Sequence, residues 1–306
     1  MHEKILDRLC GCAAGAAIGD ALGMPLEFGS PSPPGKLVRS MRPGRLPAGS
    51  FTDDTEMALA LAESLLARRP LDGADLAQRF VSWYRHNPPD VGIQTAQVLN
   101  RIARGESWQT AEQWTLANRP DSAGNGSLMR CWPAALAWWN DRPQLVRDSQ
   151  LQSRLTHPHP ECVAGCTFVN CMIAELVNGT APRQAFESTQ QSVSLPDGMR
   201  QAVVNAATHR REELPNTGWV RHTLESAVWG LLITRSFEEA LVQVVNLGGD
   251  ADTAGAVIGA LAGVAYGFEA IPLTWRQQLR GEWPLGSQKI WHVEDFACLS
   301  RQLAMK

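Results

Sequence analysis

Apolar residues recur along most of this chain at three- and four-residue spacing, the period of a helix with one buried face. Met57, Leu61, Leu65 and Leu66 mark such a face over about 54–68, and Leu76, Phe80, Val81 and Tyr84 mark the next. The same pattern predicts helices over 3–23 and near 93–103, 127–139, 161–178, 182–192, 197–208, 220–234, 237–246, 253–267 and 287–302. Alternating β-branched runs bounded by turns are nearly absent. The expected fold is therefore all-α, a compact single-domain bundle of many short helices spanning residues 1–306. Residues 29–50, GSPSPPGKLVRSMRPGRLPAGS, break the pattern with dense Pro and Gly and no period. A loop that long inside a compact domain is usually functional or mobile.

Two of the predicted helices carry little side-chain bulk. Gly11, Gly15 and Gly19 sit among alanines in the first, and Gly255, Gly259 and Gly263 are spaced by four in the helix near 253–267. Glycine is a poor helix former, so several in one helix need a reason. Close approach of another backbone supplies it, and the two segments are expected to be tightly packed central helices.

Composition narrows the function. The 306 residues hold 28 Lys+Arg against 31 Asp+Glu, a net charge of −3, so no basic excess is present to neutralise nucleic-acid phosphates. No run of 18 or more apolar residues is apparent, and the N-terminus lacks the pattern of a signal peptide, so no membrane association is expected. The seven Cys are odd in number, and Cys162, Cys166 and Cys171 suit one side of a helix better than a zinc site. Reduced core thiols and a cytoplasmic setting follow.

Two acidic clusters stand out, each opening a predicted helix: Phe51-Thr52-Asp53-Asp54-Thr55-Glu56 and Gly248-Gly249-Asp250-Ala251-Asp252-Thr253. Either one alone reads as helix capping, with Asp53 and Glu56 at capping-box spacing. Together they are harder to dismiss. A cap needs one oxygen, each cluster supplies three or more, and adjacent carboxylates repel where water is excluded. A divalent cation relieves that repulsion, and hard oxygen donors without His or Cys select Mg²⁺, Mn²⁺ or Ca²⁺ over Zn²⁺. Four Asp and two Thr suffice for two such ions about 3.5–4 Å apart. The clusters lie almost 200 residues apart, so a shared site requires one domain closing on itself.

Further polar residues sit in Gly-rich settings. Asp20 and Glu27 flank the end of the first helix, and Asp90 lies in Pro-Pro-Asp-Val-Gly. Gly124-Asn125-Gly126-Ser127-Leu128-Met129-Arg130 is a flexible turn that offers backbone N–H groups to a phosphate or simply starts a helix. His157, in Thr-His-Pro-His-Pro, is a structural or a functional histidine. The 11 Trp, Trp138-Trp139 and Trp83-Tyr84 among them, read as packing, with adenine stacking as the alternative.

The set of stretches GCAAGAAIGDALGMPLEF (11–28), FTDDTEM (51–57), PDVG (89–92), GNGSLMR (124–130), THPHP (156–160) and NLGGDADTAGAVIGALAG (246–263) resembles the ADP-ribosylglycohydrolase family, in family order and over about 250 of the 306 residues. The resemblance implies a compact all-α fold around a dinuclear centre of Mg²⁺ or Mn²⁺, with Thr52, Asp53, Asp54, Asp250, Asp252 and Thr253 as ligands. It implies that Glu27 is an acid beside the metals and that Asp90 is an acid near the substrate of members acting on ADP-ribosyl-arginine. The candidate catalytic set is thus Glu27, Asp90, Asp53 and Asp252. Gly124, Asn125, Gly126, Ser127 and Met129 of the turn, with His157, match the part that contacts the diphosphate and ribose.

The implied activity is a metal-dependent hydrolase that removes ADP-ribose from modified side chains, foremost ADP-ribosyl-arginine, in a monomer whose partner is the ADP-ribosylated protein or ADP-ribose itself. Three alternatives stay open: a hydrolase of ADP-ribosyl-serine or another conjugate, a non-catalytic antidote that binds ADP-ribose and blocks an ADP-ribosyltransferase, and a metal-dependent phosphoesterase.

Overall fold

A computed structural model describes residues 3–305. It contains fifteen α-helices among the described residues. The first six are α1 (Glu3–Gly23), α2 (Asp53–Ala67), α3 (Gly73–Arg85), α4 (Ile93–Ala103), α5 (Trp108–Asn118) and α6 (Trp132–Trp138). Then come α7 (Arg142–Arg154), α8 (Pro160–Val177), α9 (Pro182–Ser192), α10 (Asp197–Asn205) and α11 (Val220–Ile233). The last four are α12 (Phe237–Val245), α13 (Ala251–Tyr266), α14 (Leu273–Gln278) and α15 (Val293–Met305). The sheet is a single antiparallel pair, β1 (Gly281–Glu282) with β2 (Ile290–Trp291). The fold is all-α, and its buried apolar side chains form one connected cluster from Leu9 to Leu303.

The glycine-rich helices do pack on each other. A Cβ at Gly11 would stand 2.2 Å from Gly263 O, one at Gly15 2.2 Å from Gly259 O, one at Gly19 1.9 Å from Gly255 O, and one at Gly23 2.2 Å from Ala251 O. These pairs step by four in opposite directions, so α1 and α13 run antiparallel with backbones in contact for three helical turns. Bulk is excluded along the seam, and that is why both helices tolerate the low propensity of glycine. The register has a functional consequence: it puts the C-terminal end of α1, with Asp20 and Glu27, against the acidic N-terminal end of α13.

Both α1, continued to Leu26, and α8 are long and apolar enough to cross a membrane by length and composition, contrary to the expectation that no stretch would be. Their apolar windows are 89% and 72% buried, so core packing accounts for the composition. Cys162, Cys166 and Cys171 lie on α8, free and buried, with Cys298 the exposed thiol among the seven.

Three parts depart from the periodic pattern. Helix α7 has buried polar positions, Gln144, Asp148, Ser149, Gln152 and Ser153, so it carries no apolar stripe to read. Helix α5 buries only Ala111, Glu112 and Thr115 and is started by Ser107, whose hydroxyl accepts from Thr110 N at 3.1 Å. The helix expected over 127–139 begins only at Trp132. Upstream, the buried Arg130 holds the chain in a turn: its guanidinium donates to Gly126 O at 2.9 Å, Thr156 Oγ1 at 2.7 Å and Gln152 O at 3.1 Å.

Candidate active site

The loop 29–50 is fastened at both ends. Asn246, at the end of α12, accepts from Val38 N at 2.8 Å and donates to Val38 O at 2.9 Å. Arg39 pairs with Glu238 at 3.0 Å and Glu239 at 2.8 Å. At the other end Arg280 N donates to Gly49 O at 2.9 Å and Phe51 N to Arg280 O at 3.2 Å. This clamp delivers Thr52 to the tip of α2.

Thr52 stands at the N-cap position, yet its side chain caps nothing. The cap comes from α1. Asp20 Oδ2 accepts from Thr52 N at 2.9 Å, Thr55 N at 3.2 Å and Thr55 Oγ1 at 2.6 Å, and Oδ1 accepts from Thr52 Oγ1 at 2.9 Å. Fully buried, Asp20 is pushed up to about 6 by desolvation, against which those four hydrogen bonds pull down. The capping-box alternative fails as well, because Glu56 instead accepts from Trp83 Nε1 at 2.7 Å. Burial raises Glu56 to about 7. Capping therefore leaves Asp53 and Asp54 free.

The second cluster is aimed by a turn. Gly248 and Gly249 adopt φ of 68° and 61°, and a Cβ on Gly249 would lie 1.8 Å from Asn216 O. Asn216 Nδ2 donates to Gly248 O at 2.5 Å and Asp250 N donates to Asn216 O at 3.1 Å. Asp250, the N-cap residue of α13, makes no side-chain cap; its Oδ2 accepts from Asn125 Nδ2 at 2.7 Å.

The two tips meet at a cleft of about 700 Å³. Asp53, Asp54, Asp250, Asp252 and Thr253 line it, with Glu27, Asp90, Gly124, Asn125, Gly126, Met129 and His157. Two expected residues do not. Thr52 is fully buried beneath the floor. The Ser127 side chain is turned into the core, 2.9 Å from Ser153 Oγ, which removes it as a side-chain contact to substrate.

Electrostatically the cleft is under strain. Burial raises Asp53, Asp54 and Asp252 well above the carboxylate range, and each is raised further by its acidic neighbours. Asp54 Oδ1 is buried with no hydrogen-bond partner among the described residues. The Thr52 hydroxyl has one proton, given to Asp20, so its lone pairs face Asp54 Oδ2 at 3.4 Å, acceptor against acceptor. A cation fits there. Side-chain oxygens of Glu27, Asp90 and Asp252 also lie within 4.8 Å of one another, a second grouping that shares only Asp252 with the expected ligands.

Among the described residues one basic side chain enters this grouping. Arg45, from the 29–50 loop, pairs with Glu27, with Asp90 Oδ2 at 2.7 Å and with Asp252 Oδ2 at 3.2 Å. Opposite, His157 Nδ1 lies 2.8 Å from Thr156 Oγ1, and burial, with Arg130 and Arg119 nearby, lowers the ring to about 3, so it is neutral. Gly126 needs its missing Cβ here, since a methyl would stand 2.8 Å from His157 Cε1. The cleft thus combines an acidic pole with a wall of glycine backbone and neutral imidazole that also carries the cationic Arg119.

The ADP-ribosylglycohydrolase family profile matches residues 1–305. The chain belongs to that family. It is 35% identical over 293 residues to an ADP-ribosylarginine hydrolase, Tri1, of Serratia proteamaculans, covering 91% of this chain and 76% of that protein. It is 34% identical over 290 residues to the ADP-ribosyl-(dinitrogen reductase) glycohydrolase of Rhodospirillum rubrum, covering 90% and 91%. The human ADP-ribosylhydrolase ARH3 is 26% identical, with 91% and 90% covered. A solved structure described as an ADP-ribosylglycohydrolase-related protein complex superposes with a TM-score of 0.83 at 35% identity, with 99% of each chain covered.

For an ADP-ribosylglycohydrolase, the residues that sequence reasoning left out of the site include Arg45, Arg119, Asn216 and the positioning residue Asp20. Asp20 carried a signal, an acid inside a Gly/Ala-rich helix. Arg45 lay in the loop singled out for its length. Asn216, in Pro-Asn-Thr-Gly, carried none beyond an ordinary turn.

Proposed function

We propose that this ADP-ribosylglycohydrolase cleaves the N-glycosidic bond between ADP-ribose and an arginine side chain. The observation that carries the arginine linkage is the seating of a guanidinium between Glu27, Asp90 and Asp252. A planar guanidinium presents several N–H donors in a fixed fork, and carboxylates on separate elements match it. A seryl oxygen leaving group needs one acid to protonate it and offers no N–H fork to match carboxylates on three separate elements. The name of the Serratia relative agrees with this assignment.

Two divalent cations, Mg²⁺ or Mn²⁺, would be held by Thr52, Asp53, Asp54, Asp250, Asp252 and Thr253. The partnerless Asp54 Oδ1 and the mutually raised Asp53, Asp54 and Asp252 support such a site. When bound, the ions would supply positive charge to orient the ribose hydroxyls and a water. The chain's own residues do the rest. Glu27 and Asp90 face the leaving guanidinium, and one of them moves the proton that its departure requires. Gly124 and Gly126 let the diphosphate approach the backbone beside neutral His157. Asp20 fixes the α2 tip.

The test is paired hydrolysis of two peptides, one ADP-ribosylated on arginine and one on serine, with Mg²⁺ and then with EDTA, products read by mass spectrometry. Release of intact ADP-ribose from the arginine peptide, lost on chelation, is expected. Preference for the serine peptide would overturn the linkage, and release of AMP or phosphate would overturn the reaction.

A further inference from the structure

We propose that Arg45 is a tethered competitor for the acid pocket: its guanidinium occupies the place of the substrate's leaving guanidinium and has to withdraw for substrate to seat. This rests on the arginine-linked reading of Glu27, Asp90 and Asp252. The Arg45 side chain is 30% exposed, while Glu27 and Asp252 beneath it are 10% and 3% exposed, so the arginine caps these two acids from the solvent side, with Asp90, 31% exposed, beside it. One terminal nitrogen serves Glu27 and Asp90 and the other serves Asp252, so both ends of the fork are engaged. A second guanidinium making the same contacts cannot coexist with it.

The loop is fixed on either side of Arg45. The anchors lie at Val38, Arg39, Gly49 and Phe51. Between them Arg42, Pro43 and Gly44 are exposed, and Gly44 N donates locally to Leu46 O at 2.9 Å. Among the described residues, the side-chain polar contacts of 42–48 with the rest of the protein are those of Arg45. Withdrawal therefore breaks the Arg45 pairs and leaves both anchors intact. A group on so short a tether acts at an effective concentration on the order of millimolar. The apparent affinity of an incoming guanidinium falls by the fraction of time that Arg45 is out.

The test uses the full chain in Mg²⁺ buffer, with N-acetylarginine amide as the guanidinium probe. Its binding is measured by calorimetry to wild type, Arg45→Gln and Arg45→Lys, each checked for folding by circular dichroism. At least fivefold tighter binding by Arg45→Gln is expected, with Arg45→Lys between it and wild type. Removing a positive charge would by itself attract a cation, so amide hydrogen exchange of wild type is followed alongside. Saturating probe should speed exchange at the amides of Gly44, Arg45, Leu46 and Ala48. Equal or weaker binding by Arg45→Gln, binding by no variant, or tighter binding with unchanged exchange would each overturn the proposal. Should the enzyme cleave only the serine-linked peptide, the linkage assignment falls, while probe affinity and exchange still report on Arg45 separately.

Discussion

Replacing Asp20 separates the two jobs this buried carboxylate performs. It satisfies the tip of α2, and it places a charge under the cleft. Asp20→Ala removes the acceptor for Thr52 N, Thr55 N and two hydroxyls. Thr55 N keeps an alternative acceptor in Thr52 O at 3.1 Å, and the hydroxyls can rotate. Among the described residues Thr52 N has no other acceptor, and a buried N–H left unpaired costs about 1–3 kcal/mol. With the small cavity added, Asp20→Ala is expected to lose about 2–4 kcal/mol. Asp20→Asn is different. Its carbonyl oxygen can take the place of Oδ2 and keep three donors, while its amide faces Thr52 Oγ1, which then accepts. The change also removes a carboxyl that burial holds near 6, whose ionisation at pH 8 works against the fold. Asp20→Asn should therefore lie within about 1 kcal/mol of wild type at pH 8. Urea unfolding in EDTA, followed by circular dichroism with matched slopes, reads both. Equal damage from the two variants, or a wild-type midpoint for Asp20→Ala, would refute the capping argument.

The seam of α1 and α13 predicts that Gly19→Ala destabilises by about 1–3 kcal/mol despite the better helix propensity, because backbone cannot yield as a side chain can. Gly35→Ala, with nothing within 4 Å of its Cβ, is the neutral control, and thermal melts of the two compared with wild type decide the matter. In EDTA, stability should fall as pH rises from about 4 to about 7. Asp20 and Glu56 have folded values of about 6 and 7, above their unfolded ones, so the native state binds more protons across that window and the slope is negative. His157, lowered to about 3, acts in the opposite sense below pH 6.5, where the unfolded ring gains a proton that the folded one refuses. Mn²⁺ should flatten the acid-driven part, and a Tm that rises steadily to pH 8 without metal would contradict the assignment. Asp53→Ala and Asp252→Ala should abolish hydrolysis and weaken Mn²⁺ binding with the helical spectrum unchanged; normal turnover in either would exclude the centre.

How much was legible depended on where the physical signal was local. The helix over 93–103 coincides with α4 because Val98, Leu99 and Ile102 form a stripe. The glycine spacing at 11, 15 and 19 and at 255, 259 and 263 foretold the seam, since only backbone contact rewards glycine there. The buried polar face of α7 left no stripe, so that helix was invisible. The two acidic tips were legible as a pair because a cap does not need so many carboxylates. What fixes them was not, because Asp20 caps a helix 32 residues away and Asn216 braces a turn 32 residues ahead. Spacing along the chain carries no record of such non-local hydrogen bonds. Ser127 illustrates the converse: membership of a motif does not reveal which way a side chain faces, and here it faces Ser153.

The most direct measurement is a crystal structure with Mn²⁺ and ADP-ribose, with the metal located by anomalous scattering. Anomalous peaks are expected between the tips of α2 and α13, bounded by Asp53, Asp54 and Asp252, with ribose beside them and the diphosphate along Gly124 and Gly126. Manganese bound away from these carboxylates, or ADP-ribose outside the cleft, would contradict this assignment.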